Sequence, residues 1–211
     1  MIKRISILVR APHIDRAGFS KHWHDVHGGL VAQLPGIAGY IQNHVVEEFS
    51  GVAAEPGAYD IDGFVELFFP DDAARVNAFT GPHTKPMWDD EPNFLGHSTA
   101  YVIEGDWDPR RALTDAKLML VAQGLRAAVD RLAERLRQTA AGAQIERNDV
   151  AEVVPRANMA RGPQPADVFF HLRFATPDDA REAGRVLADT HDLSDGLERV
   201  AITRVVERRI V

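Results

Sequence analysis

The chain of 211 residues contains no cysteine. That excludes a disulfide framework, a thiolate nucleophile and any cysteine-based zinc site. Positive charge is also short: 24 Lys and Arg stand against 31 Asp and Glu, a formal net charge of -7. Neutralising phosphates needs a basic surface, and no basic stripe with interleaved aromatics is present, so nucleic acid is not an expected partner. No stretch approaches the roughly 20 apolar residues of a membrane span. Met1 to Arg10 reads as a strand without the long apolar core of a signal sequence, so a cytoplasmic location with no membrane contact is expected. Neither a GxGxxG run nor a P-loop occurs, so no nucleotide site is expected.

What is present is concentrated in Phe19-Ser20-Lys21-His22-Trp23-His24-Asp25-Val26-His27. Phe19, Trp23 and His27 recur at i, i+4 and i+8, and Val26, Leu30, Val31 and Leu34 extend the stripe. This is the spacing of an amphipathic helix with one face against a core. It sets His27, a titratable group, where an ordinary helix carries a leucine. Asp15 is placed to cap this helix, and Pro35-Gly36 to end it.

Around that helix the hydrophobic pattern gives strands over 2–9, 37–47, 63–69 and 98–104. A second helix opens at Pro70-Asp71-Asp72. In the second strand Tyr40, Gln42 and His44 share one face, which is unusually polar for a sheet beneath a helix. Residues 49–60 read as a loop. Thr80 to His97 shows no clean period and reads as a long loop holding His83, Trp88, Asp89, Asp90, Glu91, Phe94 and His97. Loops of that length in a compact domain are commonly functional or mobile.

The order β-α-β-β-α-β is that of the ferredoxin-like unit. It recurs after a linker at 105–115, with strands over 117–123, 145–154, 168–175 and 197–211, a loop at 155–166, a helix over 125–139 and another capped by Thr176. The letters repeat as well: Asp62-Gly63-Phe64-Val65-Glu66-Leu67 stands beside Asp167-Val168-Phe169-Phe170-His171-Leu172, 105 residues later. The expected architecture is α+β. Residues 1–105 and 116–211 each form a ferredoxin-like βαββαβ unit, and the two make an intrachain pseudo-dimeric barrel. The helix at 125–139 has neither Trp nor His, so the first unit is the candidate active one. In the second, Ala128, Leu132 and Leu136 are expected to fill the equivalent space.

Phe19-x-x-x-Trp23-x-x-x-His27, then Pro35-Gly36-Ile37-x-x-Tyr40-x-Gln42-Asn43-His44, then Asp90-Glu91-x-x-Phe94 resemble the EthD-like family of the dimeric α+β barrel superfamily. The resemblance covers residues 1 to about 105. It implies barrels built by pairing ferredoxin-like sheets, with a pocket between sheet and helices. Such pockets hold aromatic or polyketide-like small molecules and, in some branches, haem. Cofactor-free monooxygenases, cyclases, decarboxylases and isomerases are among the members. A duplicated chain departs from the usual single-domain form, so the expected assembly is a pseudo-dimer that itself could pair as a homodimer.

The chemistry expected from these residues is cofactor-free acid–base work centred on His27, with His44 as a second catalytic group. A side chain that titrates near neutral pH suits proton transfer at an enol, phenol or carboxylate. Trp23, Tyr40, Phe64, Trp88, Asp89, Phe94 and His97 are the expected contacts to a small hydrophobic or aromatic ligand. Two alternatives stand beside it: a pocket of the same kind that binds without turnover, and a haem or metal protein using His24 and His27 with Asp89 or His83. No cofactor or metal is assigned.

Overall fold

A computed structural model of the chain describes residues 1–49, 59–103, 105, 107–154, 164–190 and 192–211. Most of the loops expected at 49–60 and 155–166 lie outside these residues. The strands are β1 (Ile2–Arg10), β2 (Gly39–Phe49), β3 (Gly63–Phe69), β4 (Leu95–Ile103), β5 (Lys117–Gly124), β6 (Gln144–Val154), β7 (Val168–Arg173) and β8 (Leu197–Arg209). All are β-branched or apolar on at least one face, as half-buried strands require.

The eight strands close into one antiparallel barrel in the order β1-β3-β2-β8-β5-β7-β6-β4. Within the first half the order is β4-β1-β3-β2, and within the second β8-β5-β7-β6. The halves join edge to edge, β2 to β8 and β4 to β6, so neither keeps an open sheet edge. The pairing of the halves runs through both seams.

Period-2 alternation sends each strand's side chains to two separate places. One set fills the barrel: Ile5, Ile7, Val45, Phe64, Tyr101, Met119, Val121, Phe169 and Val205. The other faces outward beneath the helices. In the second half it packs under α5 (Arg126–Thr139) and α6 (Pro177–Ala188), with Val129, Leu132, Leu136, Phe170 and Leu172 all buried. Thr176 caps α6 through a reciprocal bond with Asp179, the two-sided cap that satisfies orphan amides.

In the first half the outer layer begins with α1 (Arg16–His22), which Asp15 caps by accepting from the Gly18 amide at 2.7 Å. It continues through a π turn (Trp23–His27) into α2 (Gly28–Val31). The π turn carries one residue more than an α turn, and such turns concentrate at functional sites. Here it keeps Phe19, Trp23, His27 and Val31, each four residues apart, on the buried face. Val26, which an unbroken α-helix would place on that stripe, is turned out and 46% exposed. Beyond α3 (Asp72–Ala78), the expected long loop is instead a chain of short turns. A 3-10 turn (Pro82–Thr84), α4 (Lys85–Asp90) and another 3-10 turn (Glu91–Asn93) follow in succession. Prolines at the first positions of each turn erased the helical period from the sequence while being compatible with the turns themselves.

Candidate active site

Trp23 and Tyr40 are the fixed points of the site. Gly63 makes room for the indole, for a Cβ there would come within 2.5 Å of the Trp23 ring. Trp23 Nε1–H donates to the Tyr40 hydroxyl at 3.1 Å. The π turn leaves the Trp23 carbonyl accepting from the Gly28 amide, and Gln42 Nε2 donates to the same oxygen at 3.0 Å. The polar face noted on the second strand is thus a set of hydrogen-bond partners for a widened helical turn.

One turn beyond Trp23, His27 is 6% exposed. Its Nδ1 pairs with Asp90 Oδ2 at 2.9 Å, at the end of α4. The same carboxylate takes His22 Nε2 at 2.8 Å and Asn93 Nδ2 at 3.1 Å on its other oxygen. Burial works to raise the Asp90 pKa, but these donors outweigh it and hold the group below the usual carboxylate range. Asp90 is therefore the charged partner, and the His27 ring carries its proton on Nδ1, leaving Nε2 as the acceptor. Burial depresses the His27 pKa; the bond to Asp90 and the charges of Glu91 and Asp90 oppose the shift without reversing it. The imidazole stays neutral near pH 7, the state a general base requires.

His27 lines a narrow cavity of about 40 Å³ between the helices and the outer face of the sheet. Its floor is broader than the second and third strands alone: Arg4, Ser6 and Leu8 of β1, Tyr40 of β2, Val65 and Leu67 of β3 and Ser98 of β4 all contribute. Trp23, Val31, Phe79, Met87 and Phe94 wall it, with Glu91 at the edge. Phe94 packs on the His27 ring with centroids 4.7 Å apart. The mixture of apolar walls and a few polar groups is that of small-molecule pockets. Arg4, whose guanidinium lies 4.1 Å from the Phe79 ring centroid, gives no signal in the sequence beyond a charge inside an apolar strand.

The residues singled out in the sequence divide four ways. His27, Trp23, Tyr40 and Phe94 line the cavity together. Phe64 and His97 do not, because alternation turns them through the sheet into the barrel. There Phe64 meets Phe169 edge-on at 6.3 Å and His97 bonds Thr99 at 3.2 Å. Trp88 and Asp89 point outward from α4, Trp88 42% exposed and Asp89 paired with Lys85 at 2.6 Å. The acid that reaches His27 is their neighbour Asp90. His44 is buried behind Trp23 with ring centroids 4.4 Å apart and is absent from the cavity lining. Both its nitrogens are engaged, Nδ1 with Ser20 Oγ at 2.7 Å and Nε2 with Gln42 Oε1 at 2.9 Å. Burial, with Arg208 and His24 adding to it, pushes its pKa down to about 3. A neutral ring with both nitrogens occupied positions other groups and is not poised to exchange protons with a ligand.

The metal set suggested by His24, His27, Asp89 and His83 is not assembled. Among the described residues the grouping that brings three ligand atoms together is Glu66, Glu146 and His171, inside the barrel. Lys3 Nζ stands 3.0 Å from Glu66 and 2.8 Å from Glu146, so an ammonium already sits against both carboxylates there. These residues do not fit a metal ion.

With this geometry in view, residues 11–98 match the EthD domain model. No curated protein matches the chain. Among solved structures, an anthrone oxidase-like protein superposes with a TM-score of 0.60 at 11% identity, over 99% of this chain and 92% of that one. A candidate monooxygenase from Fusobacterium nucleatum subsp. nucleatum does so with a TM-score of 0.55 at 11% identity, over 99% of this chain and 93% of the other. At such identities the likeness is one of fold: the whole chain, both halves together, has the architecture of these barrels.

Proposed function

We propose that this protein binds a small hydrophobic or aromatic molecule of polyketide-like character beneath α1 and catalyses cofactor-free proton transfer on it, with His27 Nε2 as the base. The observation that carries this reading is the buried pair of His27 with Asp90 at 2.9 Å on the wall of a mostly apolar cavity. The carboxylate fixes the tautomer, burial keeps the ring neutral, and the acceptor nitrogen is left for a ligand. In the reaction a C–H or O–H proton next to a carbonyl passes to Nε2, and its electrons remain on the ligand as an enolate or phenolate. Lyase, cyclase, isomerase or oxygenase outcomes all begin from that anion.

On this reading the chain is two ferredoxin-like units fused into one barrel, residues 1–105 carrying the site and 116–211 completing the scaffold. The shared strand order of the halves and the reciprocal bonds of Lys3 to Asn148 and Lys117 to Asn43 support it. Proton transfer is tested by incubating the protein in D₂O with 1-tetralone and following loss of the C2 proton signal by NMR. Exchange above the buffer rate is expected, and His27→Gln is expected to lower it by roughly 10²–10⁴-fold, the usual loss of acid–base help. Binding of tetralone with equal exchange in both proteins would leave a binding protein without turnover.

A further inference from the structure

Hydrogen-bond polarity around Tyr40 can be read from chemistry alone. The Trp23 carbonyl can only accept, so the Gln42 atom 3.0 Å from it is the amide nitrogen. The same nitrogen lies 2.9 Å from the Tyr40 hydroxyl and donates to it. Gln42 Oε1 is then the atom facing His44 Nε2 at 2.9 Å, which obliges that nitrogen to carry the imidazole proton. His44 Nδ1 in turn accepts from Ser20 Oγ–H at 2.7 Å. Trp23 Nε1–H is the second donor to Tyr40, at 3.1 Å. A phenolic oxygen has two lone pairs. Both are filled, so the Tyr40 hydroxyl meets anything further only as a donor.

We infer that Tyr40 is a dedicated hydrogen-bond donor to a carbonyl oxygen of the ligand, and that Gln42 and His44 are positioning residues that fix this polarity through the Trp23 carbonyl. Tyr40 lies on the cavity floor and is fully buried. Burial outweighs the bonds from Gln42 and Trp23 and pushes its pKa further above the ordinary phenol value, which keeps the proton in place at any pH the protein meets. The inference rests on the reading of this cavity as a ligand site. It narrows the ligand to one that presents a bare carbonyl oxygen to Tyr40 while a proton-bearing atom faces His27. A donor placed on a carbonyl oxygen also stabilises the negative charge that builds there when a neighbouring proton leaves.

The test uses 1-tetralone labelled with ¹³C at the carbonyl and reads its C=O stretch by difference infrared spectroscopy in the intact protein. A stretch moved to lower frequency is expected on binding to the wild type. Tyr40→Phe should abolish the displacement while the protein still binds. Gln42→Met and His44→Phe should reduce and broaden it, because a lone pair opens or the amide loses its anchor. His27→Gln should keep the displacement and lose only proton exchange, which a merely structural role of Tyr40 would not produce. If tetralone binds with an unmoved stretch, or the displacement persists in Tyr40→Phe, this assignment is overturned and the site reading stands. If tetralone does not bind at all, both are overturned.

Discussion

Lys3 of β1 donates to Asn148 of β6 at 2.8 Å, and Lys117 of β5 donates to Asn43 of β2 at 2.8 Å. Each half sends its first strand's lysine to the other half's second strand, the reciprocal pattern of a two-fold interface. The match extends to the backbone. Asp62 accepts from the Arg10 amide at 2.8 Å, and Asp167 accepts from the Gly124 amide at 2.9 Å. Against this symmetry two differences stand out. Inside the barrel, Glu66 of β3 corresponds to His171 of β7. Outside it, the first half holds the His27 cavity, while α5 lays Leu132 and Leu136 flat on its sheet, both fully or almost fully buried. Where one half keeps polar groups around an opening, the other spends the same surface on packing. The two halves of one chain can differ in this way because their sequences vary independently, whereas a homodimer must repeat every substitution.

Glu66 tests the inner difference, and with the largest expected effect. It faces Lys117 at 3.0 Å, Lys3 at 3.0 Å and Arg111 at 3.0 Å with no exposure to water. Burial alone would raise its pKa, but the charges of Lys117, Lys3 and Arg111 hold it well below the carboxylate range. Glu66→Gln strands their charge in the barrel and is expected to cost about 3–5 kcal/mol in denaturant unfolding, as broken buried pairs do. His171→Gln, at the matching place, removes a neutral ring and should cost about 1 kcal/mol or less. Equal losses would erase the distinction between the two positions.

The outer difference predicts the next effect. Leu132→Ala under α5 should lose about 2–5 kcal/mol, because the space it leaves is sealed by packed neighbours. His27→Gln keeps a polar side chain of similar size beside an existing opening, so its unfolding midpoint should move far less. A His27→Gln protein as unstable as Leu132→Ala would mean that the imidazole serves the core of the first half much as leucine serves the second.

Acid sensitivity gives the smallest and most graded comparison. Burial pushes the His171 pKa down to about 3, with Lys117 and Lys3 adding to the shift against Glu66 and Glu146. His44 lies at about 3 as well. The unfolded chain protonates both near 6.5. Their stabilising contribution is therefore complete above about pH 6.5 and is lost as pH falls from there toward 3, with His27 acting in the same direction. His171→Gln should flatten the fall in melting temperature between pH 6.5 and 4. A profile unchanged by that substitution would locate the acid response in the first half alone.

Much of this was legible in residue order. Period-2 runs located all eight strands, Asp15 and Thr176 marked helix starts, and the Phe19–Trp23–His27 spacing identified a helix with an imidazole on its buried face. Those features are set by neighbours a few residues apart, and local chemistry suffices to read them. The choice of Asp90 over Asp89 as the partner of His27 could not be read that way. It depends on how a string of short turns, each opened by a proline, rotates two adjacent carboxylates, one toward the helix and one toward water. The same holds for Phe64 and His97. Their residue types suggested a binding site, yet only the closure of the barrel determines which face of a strand becomes an interior and which a pocket floor. The clustering of four cations with three carboxylates, drawn from parts of the chain up to 143 residues apart, is likewise decided by tertiary structure alone. Sequence by itself determined the elements and the imidazole on the buried face of a helix. Charges and hydrogen bonds act over a few ångströms of space regardless of chain separation, so which groups meet was settled only when the two edges of each half found the other.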